Sequence, residues 1–212
     1  SMTGTDLEVE LIGRVEIEKG AQDGEITVPA RKLMDICKSL PESAIMKMEL
    51  ENNKLVIRSG RSRFSLSTLP PSDFPRAEES SEALEFSISQ ERLKEMLDST
   101  SFAMAQQDVR YYLNGLLFEV SPNFLRVVAT DGHRLAMDTE DMSTSADKTM
   151  QVIVPRKGIL ELARLLGEGS DNVDIIIGSN HIRAKTANFT FTSKLVDGKF
   201  PDYDRVLPKG GD

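Results

Sequence analysis

"VPARKLMDICKSL" occupies residues 28–40, and "VPRKGILELARLL" occupies residues 154–166. The second stretch repeats the first at an offset of 126 (154 − 28 = 126). One copy spaces apolar side chains at Leu33, Ile36 and Leu40, the other at Ile159, Leu162 and Leu166. Spacings of three, four and seven residues put a single apolar stripe on a helix. Pro29 and Pro155 suit the first helical position, where a missing N–H costs nothing.

Two more matches keep this spacing. "TGTDLEVEL" (3–11) resembles "VATDGHRLAM" (128–137), with Thr5-Asp6 against Thr130-Asp131 (130 − 5 = 125). "SRFSLSTLPPSDFP" (62–75) resembles "ANFTFTSKLVDGKFP" (187–201), ending on Phe74-Pro75 and Phe200-Pro201. Ordered matches at a near-constant offset mark a tandem duplication, with a period too long for a solenoid. A shorter repeat lies inside the second copy: "SISQERLKEML" (87–97) aligns with "IVPRKGILELA" (153–163), an offset of 153 − 87 = 66. Here Ser89 suits an N-cap, and Leu93, Met96 and Thr100 form the stripe.

Strand patterns fill the rest. "LEFSIS", "NGLLFEV", "FLRVVA", "VDIIIG", "NFTFTS" and "RFSLST" are rich in β-branched and aromatic residues, several alternating with period two. "SPN", "GSN" and "ENN" mark hairpin turns. The repeating unit is strand, helix, then three strands, and two units make a domain. This predicts an α+β fold with helices on one face of mostly antiparallel sheets. Ser1-Met2 reads as a cloning remnant, 3–76 as a partial first domain, 77–83 as a linker, 84–207 as a complete second domain and 208–212 as the start of a further linker. The counterpart of Leu84 would fall at 84 − 125 = −41, so about forty residues of the first domain are expected to lie outside this sequence.

The 212 residues are 39% hydrophobic and 28% charged, ordinary for a globular protein. No run of eighteen apolar residues is long enough to span a membrane. The lone cysteine, Cys37, excludes an intrachain disulfide, suits a reducing cytoplasm and is expected to be an inert core residue. The net charge of −8 does not by itself point to nucleic acid.

"VVATDGHRLAM" (127–137) reads as a buried strand that is interrupted at Thr130 to Arg134 and then resumes. An acid, a histidine and an arginine at one point could serve catalysis, metal binding or docking. Catalysis would need a poised nucleophile, and no G-x-S-x-G pattern is present. A metal would need further ligands, and His181 is the only other histidine. The simplest reading is a strand-end turn in which Gly132 permits an unusual backbone angle and Asp131 accepts from nearby amides. No metal, cofactor or catalytic residue is expected.

"TDGHRLA", "QDVRYYLNG", "VPRKG", "FTSKLVDGKFPDY" and "SGRSRFSLSTLP" resemble the bacterial DNA polymerase III beta subunit family, the sliding clamps. The resemblance covers nearly the whole chain. It implies a DNA-clamp fold and a subunit of three similar domains, of which this chain holds the second half of the first and all of the second. It also implies a cytoplasmic processivity factor, a head-to-tail homodimeric ring around double-stranded DNA that docks a replicative polymerase subunit, a clamp loader and other clamp-motif proteins. With no third domain present, ring closure is not expected. The other functional readings are a stand-alone module or decoy that binds partner peptides without encircling DNA, and an enzyme acting on DNA. Against the last, no carboxylate cluster suits a two-metal site.

By resemblance, Leu113, Thr130, Gly132, His133, Arg134, Leu135, Pro201, Arg205 and Val206 match the partner-peptide pocket. Gln107, Arg110, Tyr111 and Tyr112 match a loop that meets DNA, and Lys32, Phe64 and Leu66 match the dimer edge. A sliding ring needs contacts to phosphate rather than to base edges. Arg31 and Lys38 share a helix face and recur as Lys157 and Arg164 at the 126 offset, so these four are assigned to DNA contact. Acidic residues 138–147 are expected in a loop.

Overall fold

The computed structural model describes residues 1–17, 22–76, 84–167 and 171–207. The predicted linkers at 77–83 and 208–212 lie outside the described residues. In chain order the elements are β1 (Met2–Thr5), β2 (Val9–Gly13), α1 (Ala30–Ser39), β3 (Lys47–Glu51), β4 (Lys54–Ser59), β5 (Ser62–Ser67), β6 (Leu84–Ser89) and α2 (Gln90–Thr100). They continue with β7 (Gly115–Ser121), β8 (Phe124–Thr130), β9 (Leu135–Asp141), β10 (Met150–Pro155), α3 (Arg156–Leu165), β11 (Asn172–Ile177), β12 (His181–Lys185) and β13 (Phe189–Lys194). Packing divides the chain into two units, residues 1–15 with 77–212, and residues 16–76.

The larger unit has a six-stranded sheet in the order β1-β2-β13-β12-β11-β6 and a four-stranded sheet in the order β10-β7-β8-β9. All of its strand pairs are antiparallel. One core joins both sheets to both helices: Phe118, Val127 and Val154 from the smaller sheet, Ile175 and Phe191 from the larger, Leu93 and Met96 from α2, Ile159 and Leu162 from α3. Ser89 caps α2, its hydroxyl accepting from the Arg92 amide at 3.2 Å. Pro29 and Pro155 sit one position earlier than expected, as N-caps of α1 and α3. A proline cap keeps φ fixed and adds no side-chain acceptor.

The packing boundary differs from the repeat boundary. The duplication groups β1 and β2 with residues 16–76, yet β2 is hydrogen-bonded along β13, with Leu11 opposite Phe191 and Ile12 opposite Thr190. Val9 and Leu11 also pack on the larger unit's core. A paired edge and partly buried apolar side chains outweigh sequence kinship here.

The acidic run at 138–147 is only partly a loop. Asp138 to Asp141 lie on β9, and alternation turns Asp138 and Glu140 toward α2. Arg92 meets Asp138 at 2.8 Å and Glu140 at 2.7 Å, tying that helix to the sheet.

The smaller unit is the sheet β3-β4-β5 with α1 and a small core of Leu55, Ile57 and Leu66. Asn52 and Asn53, at φ 48° and 60°, form the left-handed turn of the "ENN" hairpin. Leu33 and Ile36 pack on this core only partly buried. Cys37 is exposed, contrary to the core position expected of it. The cause is coverage: among the described residues one sheet shields one side of α1, whereas α2 and α3 are enclosed by two sheets. Among the described residues no helix is long and apolar enough to cross a membrane.

Candidate partner-docking and DNA-contact sites

The interruption in "VVATDGHRLAM" is a reversal. Strand β8 ends at Thr130, the chain turns, and β9 returns antiparallel with Leu135 opposite Thr130. Asp131 accepts from the His133 amide at 2.9 Å and the Arg134 amide at 3.0 Å, while Arg134 Nε bonds its other oxygen at 3.0 Å. These donors, the amides foremost, hold the Asp131 carboxyl below its ordinary range. Thr130 Oγ1 donates to the Arg134 carbonyl at 2.7 Å and accepts from the Gly132 amide at 3.1 Å.

The duplicate turn at Thr5-Asp6 repeats four of these five bonds, all but the one from the Arg134 side chain, whose place Val9 takes. Thr5 Oγ1 donates to Val9 O and accepts from Leu7 N, and Asp6 Oδ1 accepts from Glu8 N and Val9 N. Turn chemistry therefore accounts for the placing of Thr130 and Asp131.

Side chains behind the turn alternate across the four-stranded sheet. On the face away from the main core, Ile153, Leu117 and Val128 form an apolar row. Gln151, Glu119, Arg126 and Thr139 form a polar row beside it. Residues 196–207 fold back over this face. Phe200 and Tyr203, each 4% exposed, join the apolar row, with Tyr112, Leu135, Val196 and Leu207 packed around them. The Tyr203 hydroxyl donates to Glu119 at 2.9 Å and accepts from Arg126 at 3.1 Å. Burial pushes this phenol's pKa above its usual value. Neither Tyr203 nor its two partners was picked out from the sequence. The available signal was Glu119, an acid set among apolar neighbours in "LLFEV".

This return leaves Pro201, Arg205 and Val206 exposed and Leu135 half-buried. Val206 is 71% exposed, a large apolar residue facing solvent. Leu113 is 2% exposed and lies beneath the surface. His133 and Arg134 instead line a separate cavity of about 320 Å³ with Phe102, Asp108 and Arg156. There the Arg134 guanidinium sits 5.4 Å from the centre of the Phe102 ring. Of the nine residues assigned to one pocket, Pro201, Arg205 and Val206 thus face solvent, Leu113 is buried, and His133 and Arg134 line the polar cavity.

The loop carrying Gln107, Arg110, Tyr111 and Tyr112 abuts this turn. Gln107 is held at φ 56°. Arg110 makes two side-chain bonds to Asp108, at 3.0 and 2.8 Å, and a third to the Asp131 carbonyl at 3.3 Å. Its guanidinium holds Asp108 at a pKa of about 2. Tyr111 is exposed and meets Tyr112 edge-on at 5.8 Å.

The four helix bases differ in setting. Arg31 and Lys38 are exposed on α1 and pair with no carboxylate among the described residues. Arg164 pairs with Glu161 at 2.8 Å. Lys157 contacts Asp6, and Glu8 at 3.6 Å. At the third assigned surface, β5 is an edge of its sheet, with Leu66 buried, Phe64 half-buried and Lys32 exposed on α1. Among the described residues no group of three or more His, Cys, Asp or Glu is placed to hold a metal ion.

Repeated helix-and-sheet units with antiparallel sheets define a DNA-clamp architecture. The chain belongs to the DNA polymerase III beta subunit family: residues 1–78 match that subunit's N-terminal domain and residues 87–202 its central domain. It is 65% identical over its full length to the beta sliding clamp of Pseudomonas aeruginosa, covering 58% of that protein, and 53% identical to that of Escherichia coli with the same coverage. The crystal structure of the Pseudomonas aeruginosa subunit superposes with a TM-score of 0.93, covering 99% of this chain and 57% of that one. The Bacillus subtilis clamp, 29% identical, superposes at 0.87 over 98% of this chain and 57% of its own. The chain thus spans under two thirds of the length of the relatives it matches.

Proposed function

We propose that this chain is part of a DNA polymerase processivity factor, a cytoplasmic, non-catalytic ring around duplex DNA that docks a polymerase subunit, a clamp loader and other partners. The observation that carries the docking half is that half-buried Leu135, directly after the Thr130–Arg134 turn, packs on the cluster holding Phe200 and Tyr203, while Val206, three residues beyond Tyr203, stands 71% exposed. Leu135, Pro201 and Val206 would take apolar anchors of a partner peptide, and His133 and Arg134 would form its polar rim. Arg31, Lys38, Arg164, Lys157 and the loop at Gln107, Arg110, Tyr111 and Tyr112 would meet phosphates without reading sequence. Lys32, Phe64 and Leu66 would belong to a homodimer edge.

Two peptide anchors contribute about 3–6 kcal/mol at about 1.5–3 each. Immobilising a peptide costs about 4–15 kcal/mol, so these residues alone should bind more weakly than about tens of micromolar. The test is titration of a fluorescein-labelled peptide of pattern Gln-Leu-x-Leu-Phe. Leu135→Asp should abolish binding, because a charge would face an apolar ligand. His133→Ala should weaken it less. Unchanged binding by Leu135→Asp would place the pocket elsewhere.

A further inference from the structure

We infer that Tyr203 is a positioning residue for partner docking, holding the Pro201–Val206 segment, and with it the exposed Val206, over the four-stranded sheet on whose apolar row Leu135 packs. This rests on the docking reading above. Phe200 and Leu207 flank segment 201–206 on the same apolar row, and within the segment Tyr203 is the one buried residue. Pro201, Asp202, Asp204, Arg205 and Val206 are all exposed, and only Tyr203 turns inward. Its ring packs with Phe200 on Leu117, Val128 and Ile153. Its hydroxyl enters a polar row running across four strands. Gln151 donates to Glu119, Arg126 reaches Glu119 at 3.4 Å, and Arg126 Nε donates to Thr139 at 3.0 Å.

Glu119 is 7% exposed, a buried acid whose donors are Gln151, Arg126 and Tyr203. Such an acid strongly favours geometries that keep its donors in place. The 3₁₀ turn at Tyr203–Arg205 then passes that fixed point to Val206, whose amide bonds the Tyr203 carbonyl at 3.1 Å. Val206 is therefore oriented by a hydroxyl on the opposite side of its own segment.

Tyr203→Phe keeps the ring and removes only the hydroxyl. Unlabelled peptide would be titrated against this chain, following the amide NMR shifts of residues 130–135, which read weak binding. Tyr203→Phe should weaken binding about tenfold, while Ile175→Val, in the main core, should leave it within twofold. Val206→Ala should cost less in the Tyr203→Phe background than in the parent, since both act through one contact. Trypsin cleavage after Arg205 should also quicken in Tyr203→Phe, as the segment lifts more often. Unchanged affinity and unchanged cleavage, or equal affinity losses in Tyr203→Phe and Ile175→Val, would overturn the assignment. Leu135→Asp, run alongside, separates the failures: if it too binds like the parent, the docking reading has failed rather than the role of Tyr203 alone.

Discussion

Leu7 and Gly132 occupy the same position in two copies of one turn, and both hold a positive φ, 75° and 88°. Glycine adopts that conformation freely, whereas a leucine crowds its own backbone at a cost of about 1–2 kcal/mol. Leu7 is 61% exposed, so its side chain contributes little packing. Leu7→Gly should therefore stabilise the larger unit by about 0.5 kcal/mol, after allowing for glycine's extra freedom in the unfolded chain. Gly132→Ala should act in reverse, and its Cβ would lie 3.0 Å from an Arg110 nitrogen. Urea unfolding midpoints measure both; a lower midpoint for Leu7→Gly would refute the strain argument.

Arg92 should set part of the acid sensitivity. Its hydrogen bond to Asp138 is the main reason that carboxyl's pKa lies below the ordinary 3.8. A depressed carboxylate contributes stability that is present above its unfolded pKa and lost as pH falls through its folded one. Both side chains are about one quarter exposed, so solvent screens the pair only partly. Arg92→Met should destabilise by about 2 kcal/mol at neutral pH. The gap from the parent should narrow below about pH 4, as Asp138 takes up its proton. Urea unfolding at pH 7 and pH 3 tests this, and an equal gap at both would count against it.

Much of the fold was legible because duplication doubled every signal. The stripe at Leu33 and Ile36 and the stripe at Ile159 and Leu162 each support the other's assignment. The Thr5-Asp6 match to Thr130-Asp131 coincides with a turn that repeats four of its hydrogen bonds. Pairing of β2 with β13 was not legible, since no local pattern states which distant edge a strand will join. Cys37 was misjudged because a helical stripe shows which face is apolar, not whether anything covers it. Of the residues assigned to docking, Leu135 packs on the Phe200 and Tyr203 cluster and Val206 is exposed, whereas His133 and Arg134 line a polar cavity. That division follows from alternation beyond the turn, which shows only once the turn is known to reverse the chain.

The free edge of β5 predicts weak self-association. Phe64 and Leu66 correspond to Phe189 and Phe191 (189 − 64 = 125), which in β13 lie opposite Gly13 and Leu11 of β2. The second copy thus has a strand on the edge that is unpaired in the first, among the described residues. An unpaired edge beside apolar side chains invites strand addition. Sedimentation equilibrium should detect a concentration-dependent dimer that Phe64→Lys weakens. A single monomeric species at every concentration, in the parent and in Phe64→Lys alike, would overturn this expectation.

Duplex DNA binding should be weak, indifferent to sequence and steeply salt-dependent, yet the four helix bases should not contribute alike. Each phosphate neutralised adds about −0.9 to the log–log salt slope. Arg31→Glu and Arg164→Glu should each flatten the slope by about that amount, because the Arg164–Glu161 pair is largely exposed and competes little. Lys157 is different: Asp6 and Glu8 already face it, and its hydrogen bond holds Asp6 at a pKa of about 2. Mild acid will not release it, since Asp6 stays ionised until near that value. Lys157→Glu should therefore flatten the slope less than Arg164→Glu does. Removing the competitors should have the opposite effect. Asp6→Asn retains the oxygen that accepts the turn amides, so Asp6→Asn with Glu8→Gln frees Lys157 without dismantling the turn. An exposed pair of this kind is worth up to about 1 kcal/mol, so affinity should rise by about three- to fivefold. Fluorescence anisotropy with a labelled duplex across a salt series measures both quantities. If the double variant binds no tighter and Lys157→Glu costs as much slope as Arg164→Glu, Lys157 contacts DNA unhindered and its acidic neighbours do not restrain it.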